Sequence, residues 1–482
     1  MKIKKRNATQ LEAILPVILM VLSLFIGKFI FNLQIETLLL IVVIITGFIV
    51  INTGVTYDEL IEAYSLKVKK AFPILLLIIS IGAVVGTWMF SGTVPMLIYY
   101  GLKFLNPKFA VVSGFIITSL VSLFTGTSWG SAATAGVAFM GIAQSLGIPL
   151  PMMAGAVVSG SFLGDKLSSV SDSTSISALA ADISIYDHIR GMLPNVLLSG
   201  FLASIGFTLI GFKYNHGASA AMSETLKIIA DLETVFNFNI LMLLPAVIIF
   251  GGAILKYRPL LLMFCSSFVA LILGVVFNKF SILDASGAII KGFDSSMIVS
   301  KGIDISEISE TLLVLLNRGG MREMMHAVMV TLIIFAFGSF IEQLKTIELL
   351  EKWLKKVVKG AQSMVIISFL STAFLVSILS NGQLVALTGG DLFRNYYNEK
   401  KLPRTLLSRA LENGTTLFSV LVPFTTTGVY MSQTLGVSVF EYVPWSFFIL
   451  ISISLFAFVF TPLEVKKARK LEESKKINVQ FN

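Results

Sequence analysis

Long apolar runs, separated by short polar stretches, extend along the whole chain. They occupy residues 11–31, 35–54, 72–100, 109–147, 149–182, 190–212, 238–256, 259–277, 325–341, 362–397, 403–432 and 440–461. Continuous apolar runs of about 20 residues are typical of transmembrane α-helices, whereas the strands of a membrane β-barrel alternate in hydrophobicity. The pattern therefore predicts an all-α polytopic membrane protein whose residues 1–482 form a single membrane domain.

Two of these runs, residues 109–147 and 362–397, are too long for one crossing. Their middles carry the polar, glycine-containing sequences "TGTSWGSA" and "LSNGQLVA". Non-helical backbone at membrane depth is tolerated only where protein or a water-filled cavity covers it. Each run is therefore predicted to be a re-entrant hairpin that enters and leaves on one side, and a kinked single span is the alternative.

The two halves of the chain show a weak internal repeat at an offset of 252 residues. This offset pairs Pro151 with Pro403, among others, and superposes the two predicted hairpins. Because the first half, about 35–212, and the second, about 259–461, cross in opposite directions, we predict inverted repeats. Inverted repeats with interrupted helices are typical of secondary transporters, whose binding site lies at the repeat interface near the bilayer midplane.

Charged residues indicate how the spans are oriented. The chain is 55% hydrophobic and 13% charged, with a formal net charge of +9. Lysine and arginine are enriched in cytoplasmic loops, so the basic N-terminus, the lysine-rich loop 342–361 and the basic C-terminal tail are assigned to the cytoplasm. The acidic loop 278–324 then lies outside. This gives ten crossings and two hairpins in the cell membrane, and it explains the positive charge without a nucleic-acid partner.

Several common chemistries have no counterpart in the sequence. Cys265 is the only cysteine, which excludes an internal disulfide and favours a packing role. The three histidines, His188, His216 and His326, are far apart and are interpreted as boundary residues. The sequence contains no G-x-x-x-x-G-K-[ST] phosphate loop and no H-E-x-x-H pair. We therefore expect neither an enzyme nor an ATP-driven pump, and no bound cofactor.

The segment "GDKLSSVSDSTS", residues 164–175, places three charged side chains inside an apolar run. Each charge at the centre of a membrane helix costs about 2.5–3.5 kcal/mol on insertion scales, so a break in the helix beside a cavity is predicted. Oxygen ligands at such a break suit a small hard cation. The oxygen-bearing side chains there are those of Asp165, Ser171, Asp172 and Thr174. The alternative is structural: Asp165 pairs with Lys166, and Asp172 caps the following helix.

The matching run in the second half contains "RALENGTTLFSVLVPFTTTG", residues 409–428. Glu412 and Arg409 lie three residues apart, on one helical face, and are predicted to pair. Neutral oxygens come from Asn413 and from the threonines of this run, among them Thr426, although threonines in membrane helices also bond back to backbone carbonyls. The hairpin tips are expected to close the site with Thr127, Ser128, Ser380, Asn381 and Gln383.

Two segments resemble the NhaC family of Na⁺/H⁺ antiporters, within the ion transporter superfamily. They are "GTSWGSAATAGVAFMGIAQSLGIPLPMMAGAVVSGSFLGDKLSSVSDSTS" and "LSRALENGTTLFSVLVPFTTTGVYMSQTLGVSVFEYVP". The resemblance covers nearly the whole chain. The family pattern, close to G-D-K-x-S-P-L-S-D-T-T-N, implies that Gly164, Asp165, Lys166, Ser168, Ser171, Asp172 and Thr174 belong to the site. This chain departs from the pattern at Gly382 and Asn413, where the family has acidic residues.

The resemblance implies a secondary active Na⁺/H⁺ antiporter that works in the lipid bilayer by alternating access. A buried carboxylate that binds either a proton or Na⁺ would enforce exchange. Asp172 is the first candidate for that carboxylate, Asp165 the second and Glu412 the third, and Asp165 and Asp172 are the expected Na⁺ ligands.

The alternative is a Na⁺-coupled transporter or exchanger of an organic acid of the malate/lactate type, or of an amino acid, because the family includes such members. In that case Asn381, Gln383, Lys166 or Arg409 would hold the solute, and the lost acidic residues would leave room for it. The sequence leaves open whether the protein forms a homodimer.

Overall fold

A computed structural model describes residues 5–31, 33–169, 171–213, 218–255, 257–349, 353 and 360–480. Within these residues all regular secondary structure is helical, as the apolar runs predict. The first half contains helices α1 (Gln10–Leu24), α2 (Ile35–Asn52), α3 (Tyr57–Phe90), α4 (Thr93–Phe104), α5 (Ala110–Thr125), α6 (Ser128–Ser131), α7 (Val137–Ser145), α8 (Leu150–Leu167), α9 (Asp172–Ala180), α10 (Ile185–Lys213) and α11 (Ala218–Val235).

The remaining helices complete the architecture. They are α12 (Leu244–Ile254), α13 (Pro259–Asn278), α14 (Ile282–Ile290), α15 (Ser296–Ser300), α16 (Glu310–Leu316), α17 (Met325–Gln343), α18 (Ala361–Leu379), α19 (Gly382–Glu399), α20 (Arg404–Glu412), α21 (Thr426–Leu435), α22 (Val439–Tyr442), α23 (Phe447–Leu455) and α24 (Thr461–Gln480). Short 3₁₀ and π segments connect several of them, including the π segment Asn413–Leu417.

Among the described residues, eight helices are long and apolar enough to cross a bilayer, or up to nine if a bent pair forms one span. This confirms a polytopic α-helical membrane protein. The runs 149–182 and 403–432 are not among the eight, because each is divided by a polar break. The count of ten crossings stays a prediction.

Both predicted hairpins contain a sharp turn at the polar motif. Gly126 ends α5 at φ 68°, and Ser380 ends α18 at φ 50°, the left-handed region that stops a helix. The next residue in each turn caps the following helix. Thr127 Oγ1 accepts the backbone N–H of Gly130 at 3.2 Å, and Asn381 Oδ1 accepts that of Leu384 at 3.0 Å. The two turns are therefore built in the same way.

Both predicted helix breaks are also present. α8 ends at Leu167 and α9 begins at Asp172, where the Ser171 hydroxyl accepts the Thr174 N–H at 3.4 Å. In the second half, α20 continues into the π segment before the chain unwinds, and α21 begins after Thr425, whose hydroxyl accepts the Gly428 N–H at 3.0 Å. Serine and threonine caps of this kind satisfy N–H groups that an interrupted helix leaves unpaired.

Matching boundaries in the two halves are 254 residues apart, and the offset of 252 is therefore two residues short. The boundaries that match are the ends of α5 and α18, the ends of α7 and α19, and the starts of α8 and α20 and of α9 and α21. The offset of 252 pairs Pro151 with Pro403, whereas in the structure Pro149 precedes α8 as Pro403 precedes α20. The opposite orientation of the two halves stays a prediction.

Other sequence predictions concern Cys265, His216 and the lysine-rich loop. Cys265, expected to pack inside, is exposed on α13; on a membrane-spanning helix a small thiol suits a lipid-facing position as well as a core one. Much of the lysine-rich loop and His216 lie outside the described residues.

Close packing of α5 against α8 fixes the broken helix in place. A Cβ at Gly164 would overlap the carbonyl oxygen of Ser119 and lie 2.6 Å from the backbone nitrogen of Leu123. We therefore expect Gly164→Ala to push the two helices apart and destabilise the protein by about 1–3 kcal/mol. Gly251→Ala in α12, whose Cβ would meet nothing within 4 Å, is the matched control. Thermal unfolding of the purified proteins in detergent compares the two, and equal melting temperatures would contradict this packing.

Candidate ion-binding site

A cavity of about 580 Å³ lies where the two broken helices and the two hairpin turns meet. Its lining includes residues from both helix breaks and both turns. Eight of the side chains predicted from the sequence line it: Thr127, Ser128, Asp165, Asp172, Ser380, Asn381, Gln383 and Thr426. The structure therefore brings together residues up to about 300 positions apart in the chain. The other four candidates, Ser171, Thr174, Glu412 and Asn413, are buried and do not line the cavity.

Asp165, in the last turn of α8, is the buried carboxylate of the cavity wall, with 4% of its surface exposed. Its Oδ2 accepts hydrogen bonds from Ser173 Oγ at 3.1 Å and from Ser128 Oγ at 3.4 Å. Ser128 belongs to the first hairpin turn and Ser173 to the helix after the break. One carboxylate and two hydroxyls from three elements therefore converge at one point of the wall, and all three are hard oxygen ligands.

Asp172 was the first candidate for the buried carboxylate, but its side chain is exposed. It lines the cavity but is exposed, as the first residue of α9. A carboxylate at a helix N-terminus is favoured there by the helix dipole and by the free N–H groups. The expectation of burial is thus wrong for Asp172 and holds for Asp165.

The hairpin turns are tied to the broken helices beside the cavity. Thr426 Oγ1, at the start of α21, donates to the carbonyl oxygen of Ser380 at 2.9 Å. Trp129, which lines the cavity, stacks on Tyr430 with ring centroids 4.1 Å apart, and the Tyr430 hydroxyl donates to the Trp129 carbonyl at 2.8 Å. Trp129 therefore packs against Tyr430 and closes one side of the cavity. Both hairpin turns are therefore tied to α21, the second part of the broken helix in the second half.

Behind the cavity wall lies a second group of buried polar residues. Glu412, at the end of α20, is fully buried, and its Oε1 lies 3.6 Å from Lys166 Nζ. Lys166 also donates to Asn413 Oδ1 at 3.0 Å. The other carboxylate oxygen, Oε2, is hydrogen-bonded to Nε2 of His188, whose Nδ1 lies 2.7 Å from Ser408 Oγ.

One hydroxyl lies between this buried group and the cavity wall. Thr174 Oγ1 is 3.3 Å from Glu412 Oε1 and 3.2 Å from the carbonyl oxygen of Asp165. A hydroxyl carries a single proton, so it donates to only one of these acceptors at a time. Thr174 therefore connects the two sites through one hydrogen bond that can switch.

Two sequence predictions about the buried group are wrong. Arg409 does not pair with Glu412; its side chain turns to Glu464 on α24 and lies over the rings of Phe456 and Phe460. Spacing on one helix face permits an ion pair, but the neighbouring helices decide which partner is met. His188 is not a boundary residue, because it is fully buried against Glu412.

No local signal in the sequence marks His188. The residue lies in "SIYDHIRGML", at the start of a long helix, where a histidine near a membrane surface is ordinary. Only the packing of α10 against α20 places its ring against Glu412. Thr415 bonds back to the backbone of its own helix, because its hydroxyl donates to the Leu411 carbonyl at 2.8 Å.

Three proteins similar to the chain are described as antiporters. The model of the Na⁺/H⁺ antiporter family matches residues 17–212 and residues 163–462. A protein of Haemophilus influenzae described as an uncharacterized Na⁺/H⁺ antiporter is 37% identical over 92% of this chain and 94% of its own length. The malate-2H⁺/Na⁺-lactate antiporter of Bacillus subtilis is 34% identical over 84% of each chain. The Na⁺/H⁺ antiporter NhaC of Alkalihalophilus pseudofirmus is 27% identical over 90% of each.

Proposed function

The chain belongs to the Na⁺/H⁺ antiporter family, and we propose that Asp165 is the carboxylate that binds Na⁺ when it exchanges Na⁺ for H⁺. The observation that carries this assignment is the position of Asp165, buried in the cavity wall between the first hairpin turn and the helix break. A buried carboxylate without a full counter-charge is costly. A cation bound beside it removes that cost, so a site for Na⁺ is favoured there.

The surroundings of Asp165 fit Na⁺ as the transported cation. The hydroxyls of Ser128 and Ser173 lie within hydrogen-bond distance of its carboxylate and supply neutral oxygens. The last turn of α8 adds the negative end of a helix dipole and carbonyl oxygens that lack helical partners. Interrupted helices of transporters bind Na⁺ with the same kinds of group.

We infer an orientation in the plasma membrane with both termini in the cytoplasm. The support is the distribution of charge, since the N-terminus and the C-terminal segment after Thr461 are rich in lysine and arginine, whereas these residues are sparser in loop 278–324. Alternating access then requires the hairpin turns to open the cavity to the two sides in turn. Two turns of the same construction, one in each half of the chain, suit that requirement.

The test is sodium movement in the absence of any organic solute. In liposomes that contain the purified protein, an imposed pH gradient should drive ²²Na⁺ uptake, because Na⁺ and H⁺ alone complete the cycle. Empty liposomes and liposomes without a pH gradient give the background. Uptake that stays at background until malate, lactate or an amino acid is added would contradict plain Na⁺/H⁺ exchange.

The size of the cavity favours a second candidate, a Na⁺-coupled organic acid exchanger. A volume of about 580 Å³ lies within the range of small-molecule sites and greatly exceeds what one ion requires. Asn381, Gln383 and Arg258 line it, and α9, α19 and α21 begin beside it, so that their N-termini favour an anion. Lys166 and Arg409 are fully buried outside the lining, so they are not available to hold a solute as the sequence suggested.

A further inference from the structure

The buried group behind the cavity is assembled from four helices. Glu412 and Ser408 come from α20, Lys166 from α8, Thr174 from α9 and His188 from α10, and all five side chains are buried. Glu412 Oε1 faces Lys166 and Thr174, whereas Oε2 faces His188. Both oxygens of this carboxylate are therefore occupied by protein groups, and none of the five side chains lines the cavity.

The charges of this region do not balance without an added cation. With all three groups counted as ionised, Asp165 and Glu412 contribute two negative charges and Lys166 one positive charge, which gives a formal net charge of −1 in a buried region. The nearby Arg409 is neutralised by Glu464, and Asp172 is exposed. Buried charges without partners are unfavourable. One further positive charge balances the region, and besides a proton on Asp165 itself it can be supplied in two places.

The first place is the carboxylate of Asp165, where Na⁺ meets hydroxyl oxygens. The second is the imidazole of His188, a proton-binding side chain that contacts Glu412. The Thr174 hydroxyl lies between the two places, 3.3 Å from Glu412 Oε1 and 3.2 Å from the backbone carbonyl oxygen of Asp165. A positive charge at one place makes a second positive charge at the other unfavourable.

We propose that His188, held against Glu412, is the proton-binding site of the exchanger, distinct from the Na⁺ site at Asp165. The proposal rests on the proposed function, because it says where the competing proton is held. Na⁺ at Asp165 drives one proton off the imidazolium into water; the neutral ring keeps its Nε2–H toward Glu412, and its free Nδ1 accepts a hydrogen bond from Ser408 Oγ. When Na⁺ leaves, the ring takes up a proton again. Exclusion between the two cations is then electrostatic and does not require one atom to bind both.

The groups that face His188 from each neighbouring helix support this assignment. Ser408, Arg409 and Glu412 approach from α20, with the Arg409 Cδ 3.6 Å from a Cβ built at Gly191, one turn along from His188. Charged residues from the other packed segments are Asp165 and Lys166 of α8, the exposed Asp172 of α9, and Lys108, which lies near Gly211 at the far end of α10. α5 and α23 also pack against α10 and have no titratable side chain. Glu412 is thus the anion in contact with the ring.

Proton release on Na⁺ binding tests the proposal without relying on transport. Purified protein in weakly buffered detergent is mixed with NaCl or, as a control, choline chloride, and the released protons are counted with a pH indicator. Wild type should release about one proton per Na⁺ bound. His188→Gln, which keeps an N–H donor for Glu412 but cannot titrate, should release fewer than one fifth as many at saturating Na⁺. His326→Gln changes a histidine that is 45% exposed and paired with Glu36, so it should release as many protons as wild type.

Three results would contradict either the role of His188 or the proposed function. Full proton release from His188→Gln would place the proton elsewhere and overturn the proposal while leaving Na⁺/H⁺ exchange intact. A wild type that binds Na⁺ and releases no proton would overturn the proposed function itself, and the proposal with it. Loss of proton release in His326→Gln as well would remove the specific role of His188.

A second measurement leaves His188 in place and so does not depend on whether its variant folds. In the double variant His216→Gln/His326→Gln, His188 is the sole histidine, and ¹⁵N-labelled histidine gives one set of ring signals. Addition of Na⁺ at fixed pH should move these signals from the shifts of imidazolium to those of neutral imidazole, and choline should not. Ring signals that do not respond to Na⁺ at any pH between about 6 and 9 would overturn the proposal.

Discussion

Asp165→Asn is expected to abolish Na⁺/H⁺ exchange while the protein still folds. The amide has nearly the shape of the carboxylate, and the hydroxyls of Ser128 and Ser173 can still hydrogen-bond to its oxygen. The lost charge, however, is the one that holds Na⁺. A unit charge about 4 Å from a cation is worth about 4 kcal/mol at an effective dielectric constant of 20, which corresponds to roughly 1,000-fold in affinity. The measurement is Na⁺ affinity from calorimetry, together with the pH change that Na⁺ drives in proteoliposomes.

Two other aspartates serve as comparisons in the same assays. Asp182→Asn changes a carboxylate that is 68% exposed and paired with Arg404 at the surface, and it should leave exchange unchanged. Asp172→Asn should weaken exchange by about tenfold or less, because its exposed carboxylate is solvated. An Asp165→Asn protein that folds and exchanges at the wild-type rate would remove Asp165 from the mechanism. Abolition by Asp172→Asn alone would restore the order of candidates expected from the sequence.

The interruptions of the helices were predictable because their causes are local. Polar and glycine residues inside an apolar run cannot stay helical against lipid without cost, and the structure has its turns at Gly126 and Ser380 and its break after Leu167. The oxygen ligands near these points follow from the same local reasoning. Eight of the twelve predicted site residues line one cavity for that reason.

The partners of the buried charges were not predictable from local patterns. The spacing of Arg409 and Glu412 suggested a pair, but α24 provides Glu464 for the arginine, and α8 and α10 provide Lys166 and His188 for the glutamate. These contacts join residues more than 200 positions apart, except for the arginine pair, so only helix packing creates them. The exposure of Asp172 also depends on helix packing, because the packing of α9 after the break sets which of its sides faces the cavity.

The remaining prediction concerns the ion pair of Lys166 and Glu412, in which both side chains are fully buried. Glu412→Gln leaves the ammonium group of Lys166 without its counter-charge. Lys166→Met leaves the carboxylate of Glu412 without its positive partner. Removal of one partner of a buried pair costs about 3–5 kcal/mol, whereas replacement of both is often nearly neutral. Each single variant should therefore unfold at a clearly lower temperature than wild type. The double variant Lys166→Met/Glu412→Gln should recover most of the loss.

The exposed pair Lys5 and Glu59, whose charged atoms are 2.8 Å apart, is the control for the same two substitutions. Because water and salt already screen both groups, the Lys5→Met/Glu59→Gln cycle should show no resolvable coupling. A double-mutant cycle is informative here because it cancels what each substitution does alone. If the buried pair gives as little coupling as the exposed one, Lys166 and Glu412 do not neutralise each other. The net charge of the region would then have to be counted anew, and a single added cation would no longer balance it.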